Sequence, residues 1–370
     1  MDPKPILNLI SKLVRASLER DMRTLESSCL TLIRKIKKEY PSIADEIAQA
    51  LSYHNVGGSV TRSIGIDPPP TDKDSYLSLA RVEEPDEIPP NIILTPEIQT
   101  LVERFIRERK STDILLSSGI QPPTNLLLFG PPGVGKTLLS KYLSCRLSLP
   151  LVTLDLASSI SSYLGSTGKN LKKIMDYAKC KPSILFLDEF DAIAKKRNDP
   201  TDLGELKRIV NVLLKEIENW PSHSILIAAT NHADLLDKAI WRRFDHVIEI
   251  KIPNAEAREE LWKSSLSNEL FELKLPIYKV LAEVTEGLSA ADICQLSKHI
   301  LRRVVLNEGE PIKIIISELK FINNHDSGKF NKRFAQVAKQ ILGKSVTQKQ
   351  IADWLNISTS TVNHHIKSLN

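Results

Sequence analysis

Apolar residues in the first fifty positions recur at helical spacing. Ile6, Leu9, Ile10, Leu13 and Val14 form one stripe, and Leu25, Cys29, Leu32, Ile33 and Ile36 form a second. Ile43, Ile47 and Leu51 form a third, and Pro41 breaks or begins a helix. The pattern predicts a small helical domain over 1–56, either purely structural or built to dock a partner or substrate. It then lapses. Gly57-Gly58, Pro68-Pro69-Pro70, Pro85 and Pro89-Pro90 interrupt an acidic stretch, as expected of a linker or loose extension over 57–91. From Ile92 onward, short apolar runs at 126–129 and 184–189 read as buried strands, and 224–231 and 247–250 as further strands. They predict an α/β domain over 92–253, a parallel sheet flanked by helices. Helix-rich sequence follows over 254–325, and a basic segment of short helices over 326–370. No internal repeat is visible.

The first strand runs into Gly130-Pro131-Pro132-Gly133-Val134-Gly135-Lys136-Thr137, a full match to the phosphate-loop pattern G-x-x-x-x-G-K-[ST]. Leu138, Leu139, Tyr142 and Leu143 continue it at helix spacing. A strand, a Gly-rich turn and a helix N-terminus together bind polyphosphate. The glycines let backbone N–H groups point inward, and the helix dipole favours an anion. Lys136 is placed to neutralise the β- and γ-phosphates, and the Thr137 hydroxyl to take one Mg²⁺ position.

The second strand ends in Asp188-Glu189. Carboxylates at the C-terminal end of a parallel strand lie beside the phosphate loop. Asp188 can hold Mg²⁺, and Glu189 can polarise an attacking water. The third strand ends in Asn231, whose neutral amide can hold that water and sense the γ-phosphate; Asn at a strand end is otherwise a turn residue. Arg242-Arg243 follow a short helix. An arginine beside a γ-phosphate stabilises charge developing in phosphoryl transfer, whereas an Arg pair alone is ordinary surface charge.

With these motifs in this order, 92–323 resembles an AAA-type ATPase of the protein-remodelling branch. The resemblance implies an AAA core with a helical lid. It implies ATP contacts from Pro132, Gly133, Val134, Gly135, Lys136, Thr137 and Leu138, and metal at Thr137 and Asp188. Hydrolysis falls to Glu189, sensing to Asn231, and trans-acting fingers to Arg242 and Arg243. Gly287-Leu288-Ser289-Ala290-Ala291-Asp292 resembles the family's lid segment G-x-S-G-A-D, with Ala290 in place of the usual Gly. Trans-acting arginines require a neighbour in a heterologous, ring-closing contact. A hexameric homo-oligomer is expected from the resemblance alone. Tyr163-Leu164-Gly165 matches the aromatic-hydrophobic-Gly loop that grips polypeptide in the pore of protein-threading members; Tyr163 can alternatively cap the helix that follows. The run 195–199 is a second loop, facing the pore or merely solvated, and Arg208 is a candidate to bridge subunits.

In the last segment, 348–355 reads as a short helix, Asn356-Ile357-Ser358 as a turn with Asn left-handed, and 361–367 as a second helix capped by Ser358 or Thr359. It resembles a helix-turn-helix. Ser360, Thr361, Asn363, His364 and Lys367 are its candidates for a DNA groove or phosphates. Reuse of the same helices for protein contacts is the alternative.

Charge sharpens that choice without settling it. Residues 326–370 hold seven basic and two acidic side chains, and so carry the whole net charge of +5. The excess fits an anionic partner or a solvated basic face. No apolar run approaches the ~20 residues that span a bilayer. The start lacks a secretory apolar core. The four cysteines are scattered away from metal-ligand spacing. A soluble, cytoplasmic protein with no membrane partner is expected. The leading expectation is an ATP-driven ring motor acting on protein substrates. No H-E-x-x-H occurs, so any peptidase is a separate protein. The resemblance extends to compact bacterial ATPases paired with a subtilisin-like serine protease, including in phage defence. The alternative is a nucleic-acid-associated ATPase targeted or regulated through its C-terminal helices.

Overall fold

The computed structural model describes residues 79–85, 92–156, 167–192, 213–267, 273, 275–322 and 327–368, with 70 and short pieces within 9–43. Tyr163, Leu164, Gly165, the run 195–199 and Arg208 lie outside the described residues. The chain divides into two compact units, Met1–Pro68 and Pro69–Asn370. In the first unit Leu32 and Ile36 are buried, and Leu9 and Leu13 pack against them.

The second unit is mixed α/β. Its six strands are β1 (Arg81–Glu83), β2 (Asn125–Phe129), β3 (Leu151–Asp155), β4 (Ile184–Asp188), β5 (Ile225–Thr230) and β6 (His246–Glu249), in spatial order β1-β3-β4-β5-β2-β6. All neighbours are parallel except β1, which pairs antiparallel with β3 from within the Pro-rich stretch. The unbroken apolar runs are explained by burial on both faces. Leu126, Leu128, Ile184, Phe186, Ile225 and Ile227 point to one face, which packs with α1 (Pro96–Lys110) and α3 (Lys136–Leu147). Leu127, Leu185, Leu187, Leu226 and Ala228 point to the other, among Ile174 and Met175 of α4 (Thr167–Cys180) and Ile217. A short α2 (Thr112–Ser117) follows α1. The register sets Phe129 beside Thr230 and Glu249, and Asp155 beside Asp188. The C-terminal ends of the parallel strands therefore share one edge of the sheet, where α/β folds place their ligands.

After β6 the fold is helical: α6 (Ala255–Leu266), α7 (Leu275–Val284), α8 (Ala290–Val305), α9 (Pro311–Ile322), α10 (Ser327–Leu342), α11 (Gln348–Leu355) and α12 (Thr359–Lys367), preceded before β6 by α5 (Lys238–Trp241). Trp262, Leu281, Ile300, Ile315, Phe334, Leu355 and Val362, all 1% exposed or less, belong to one hydrophobic core. The basic segment is thus packed into the same core as the helices before it. Polar ties reinforce it: Lys320 Nζ donates to Leu355 O at 2.6 Å, and Gln336 Nε2 to His365 O at 3.0 Å. Among the described residues no helix is long and apolar enough to cross a membrane.

Candidate functional site

The loop after β2 is shaped by its glycines. Gly130, Gly133 and Gly135 all have φ in the range that disfavours side chains, at 148°, 76° and 106°. A Cβ on Gly130 would stand 2.0 Å from Ile250 O, so the loop begins in backbone contact with the chain leaving β6. Pro132 is exposed, Val134 is buried and Leu138 half-buried. Lys136, 7% exposed, donates from Nζ to Gly130 O at 2.7 Å and Pro131 O at 2.8 Å. Burial lowers its pKa, while Asp188 and Asp191 pull it back upward.

Thr137 and Asp188 meet at this edge: the Thr137 hydroxyl donates to Asp188 Oδ2 at 3.3 Å. Asp188 Oδ1 accepts from Glu189 N at 2.9 Å. Glu189 sits at φ 52°, a left-handed conformation costing a side-chain-bearing residue roughly 1 kcal/mol or more. The next residue holds it there. Phe190 is fully buried, its N–H donates to Ala229 O at 2.8 Å, and its ring packs edge-on to Phe244. Glu189 is exposed there, at the strand edge beside Asp188. A hydroxyl and a carboxylate are hard oxygen donors suited to Mg²⁺, whose other positions go to phosphate and water. No cluster of three or more His, Cys, Asp or Glu groups fit for a metal exists among the described residues, so a heavily protein-ligated ion finds no cage here.

Sequence reasoning missed Asp191. It is 4% exposed, and its Oδ1 accepts from the Thr230 hydroxyl at 2.9 Å and from Asn231 N at 3.4 Å. It ties the turn after β4 to the end of β5 and so sets where half-buried Asn231 stands. The signal available in the chain was a third carboxylate close behind Asp188-Glu189.

The helical region also reaches the loop. Ser289 and Asp292 form a reciprocal capping box at the start of α8. Ala291 N donates to Gly133 O at 2.9 Å, and a Cβ on Gly133 would meet Ser289 Oγ at 2.6 Å. Ala290 is half-buried on the helical core. The close approach belongs to its neighbours Ser289 and Ala291, which sequence reasoning did not single out as contacts.

Arg242 is exposed and caps the C-terminus of α5. Arg243 is half-buried and pairs with Glu218 at 2.8 Å. The run around them is anchored by Asp245, which accepts from Thr124 N at 2.6 Å and donates its own N–H to Asn125 Oδ1 at 2.7 Å.

Residues 126–252 match the profile of the ATPase family associated with various cellular activities (AAA). The matched segment holds the phosphate loop, Asp188-Glu189, Asn231 and Arg242-Arg243. The chain is 40% identical over 172 residues to the uncharacterized AAA family ATPase y4kL of Sinorhizobium fredii, covering 46% of this chain and 52% of that protein. It is 33% identical over 237 residues to the proteasome-activating nucleotidase of Methanothermobacter thermautotrophicus, covering 62% and 58%. With the protein of that name from Thermococcus onnurineus it shares 36% over 234 residues, covering 60% and 58%. The chain thus spans between half and three-fifths of the length of these relatives.

The C-terminal candidates lie away from the phosphate loop in sequence. Ser360, His364 and Lys367 are exposed on α12, while Thr361 and Asn363 are half-buried. The Thr361 and Ser360 hydroxyls both bond Ser358 Oγ, at 2.8 and 2.7 Å.

Proposed function

We propose that the chain is an ATP-hydrolysing ring motor that unfolds or remodels protein substrates. The observation that carries it is the meeting of Thr137 with Asp188 at 3.3 Å beside an exposed Glu189. Lys136 binds the β- and γ-phosphates. Thr137 and Asp188 hold Mg²⁺, which when bound neutralises charge on the phosphate oxygens. Glu189 accepts a proton from the attacking water. Asn231, held by Asp191, fixes that water and reports the γ-phosphate. Arg242 and Arg243 act from a neighbouring protomer, stabilising charge that develops as the phosphoryl group departs.

The assembly is a ring of identical subunits, hexameric by family likeness, with Tyr163, Leu164 and Gly165 gripping polypeptide at its centre. The name proteasome-activating nucleotidase, carried by several relatives, supports coupling to a separate peptidase. A separate serine protease, in phage defence among other settings, is the partner proposed. A second reading, an ATPase acting at nucleic acid, is favoured by the polar, basic surface of α12 and its surroundings.

Glu189→Gln tests the motor. It should retain nucleotide, lose turnover, and hold its substrate when used as bait in ATP. Wild-type turnover by Glu189→Gln would overturn the assignment. Retention of ATP and no captured polypeptide, with unfolding activity also missing from the wild type, would overturn the motor and leave the nucleotidase.

A further inference from the structure

We propose that duplex DNA docks on the exposed ridge of α12 and that its docking changes ATP turnover through the helices α12 is packed with. The coupling half rests on the ATPase reading above; the docking half stands without it.

The local geometry fits a groove reader. α11 is closed by Asn356 at φ 53°, with Ile357 N donating back to Ala352 O at 3.0 Å. Ser358 then caps α12 by accepting from Thr361 N at 3.1 Å. Ile351, Leu355 and Val362, all fully buried, lock the two helices together. In such a pair the second helix lies in the major groove while the first crosses the phosphate backbone. Ser360, His364 and Lys367 stand at i, i+4 and i+7, one exposed ridge of short polar and cationic groups that suit base edges and phosphates.

Charge and polarity select the occupant. The only acidic residue of α11 and α12 is Asp353, and it is paired with Lys313 at 2.8 Å. Lys344 and Lys349 are exposed around the start of α11, and Lys332 of α10 lies near His365. Between 327 and 368 no large hydrophobic side chain is exposed among the described residues. A protein interface draws its energy from aromatic and apolar anchors. A polyanion needs none.

The coupling follows from packing. Lys320 and Lys313 of α9 bond α11, Gln336 of α10 bonds the end of α12, and all share a core with α8. The first turn of α8 contacts Gly133 of the phosphate loop. A ligand that binds α12 differently as α8 moves must shift nucleotide affinity or turnover, by no more than that difference.

The experiment uses the full chain and a fluorescein-labelled, mixed-sequence duplex, read by anisotropy across a salt series, with ATP turnover followed in parallel. Affinity should fall linearly on a log–log plot as salt rises, and Lys367→Ala should reduce that slope by about one. The triple variant Ser360→Ala/His364→Ala/Lys367→Ala should lose DNA binding and DNA-dependent turnover, yet keep its melting temperature and basal turnover. Absence of salt-dependent binding, or undiminished binding by the triple variant, overturns the docking ridge. A protein captured by the wild type and lost by the triple variant, without DNA binding, also overturns it. Saturating DNA with unchanged turnover sinks the coupling alone. DNA binding by a chain that never hydrolyses ATP sinks the coupling together with the motor reading.

Discussion

Asp191 accepts the Thr230 hydroxyl at 2.9 Å and thereby joins the turn after β4 to the end of β5. The same oxygen lies 3.4 Å from Asn231 N. A buried carboxylate that receives two donors is a charge-assisted anchor, and hydrogen bonds to charged groups contribute ~1.5–3 kcal/mol. Asp191→Asn keeps the shape but loses the charge and leaves an amide N–H₂ to be satisfied. If Asn231 must be held to position water, kcat for ATP should fall roughly 10-fold or more while KM moves by less than about 3-fold. Steady-state ATPase kinetics read the split. A raised KM at constant kcat would instead assign Asp191 to nucleotide binding.

The three loop glycines should fail in different ways. A Cβ at Gly130 meets a backbone carbonyl, Ile250 O, at 2.0 Å, and neither strand end can yield cheaply. Gly130→Ala should therefore cost ~2 kcal/mol or more and melt first. At Gly135 nothing lies within 4 Å, so Gly135→Ala bears only the backbone strain of φ 106°. Gly133→Ala adds the Ser289 Oγ clash at 2.6 Å to its φ of 76°. It alone should loosen the contact with α8, seen as faster proteolysis in the turn before Ser289. Thermal melts and limited digestion separate the three.

What the sequence disclosed depended on how local each cause was. β2, β4 and β5 were legible because burial on both faces leaves unbroken apolar runs. β3 was not read, since Leu151–Asp155 mixes Thr153 and Asp155 into its run. β1 is three residues of edge strand, too short to carry a period. The phosphate loop and Asp188-Glu189 were legible because strand, turn and side chain are adjacent in the chain. Asp191 was not, because its role comes from Thr230, far along the sequence. The resemblance directed attention to Ala290, whereas the capping box of Ser289 and Asp292 aims the N–H of Ala291 at Gly133. The left-handed Asn356 is legible from residue type, and so is a cap at Ser358 or Thr359, of which the structure uses Ser358. The Arg243–Glu218 pair left no mark in the pattern.

That pair bears on subunit cooperation. Arg243 pairs with Glu218 of its own protomer, while Arg242 is exposed. Arg242→Ala should bind ATP normally yet hydrolyse it at least ~10³-fold more slowly, if Arg242 acts across an interface. Mixed with Glu189→Gln, it should regain turnover above the sum of the two alone, because an intact Glu189 then meets an intact Arg242 from its neighbour. Glu218→Gln should leave turnover near wild type. A dilution series of the mixture gives the check: recovery that survives at concentrations where only monomers exist would refute a trans role.

The end of α12 carries a pH dependence whose sign is set by its surroundings. His365 is half-buried; burial first, then His364 and Lys332, lower its pKa from the usual 6.5. The unfolded chain therefore takes up this proton at a higher pH than the folded chain does. Above 6.5 the stability contribution is fully present; as pH falls through 6.5 toward the lowered folded value it is lost. His365 also anchors α12 through its carbonyl, which accepts from Gln336 Nε2 at 3.0 Å and Ser368 Oγ at 2.8 Å. Amide protection factors in α12 should drop between about pH 7.5 and about pH 5.5 in the wild type, the range in which histidine titrates. In His365→Gln, which cannot take up the proton, the drop should be smaller. Equal losses in the two proteins would show that acid weakens α12 through another group.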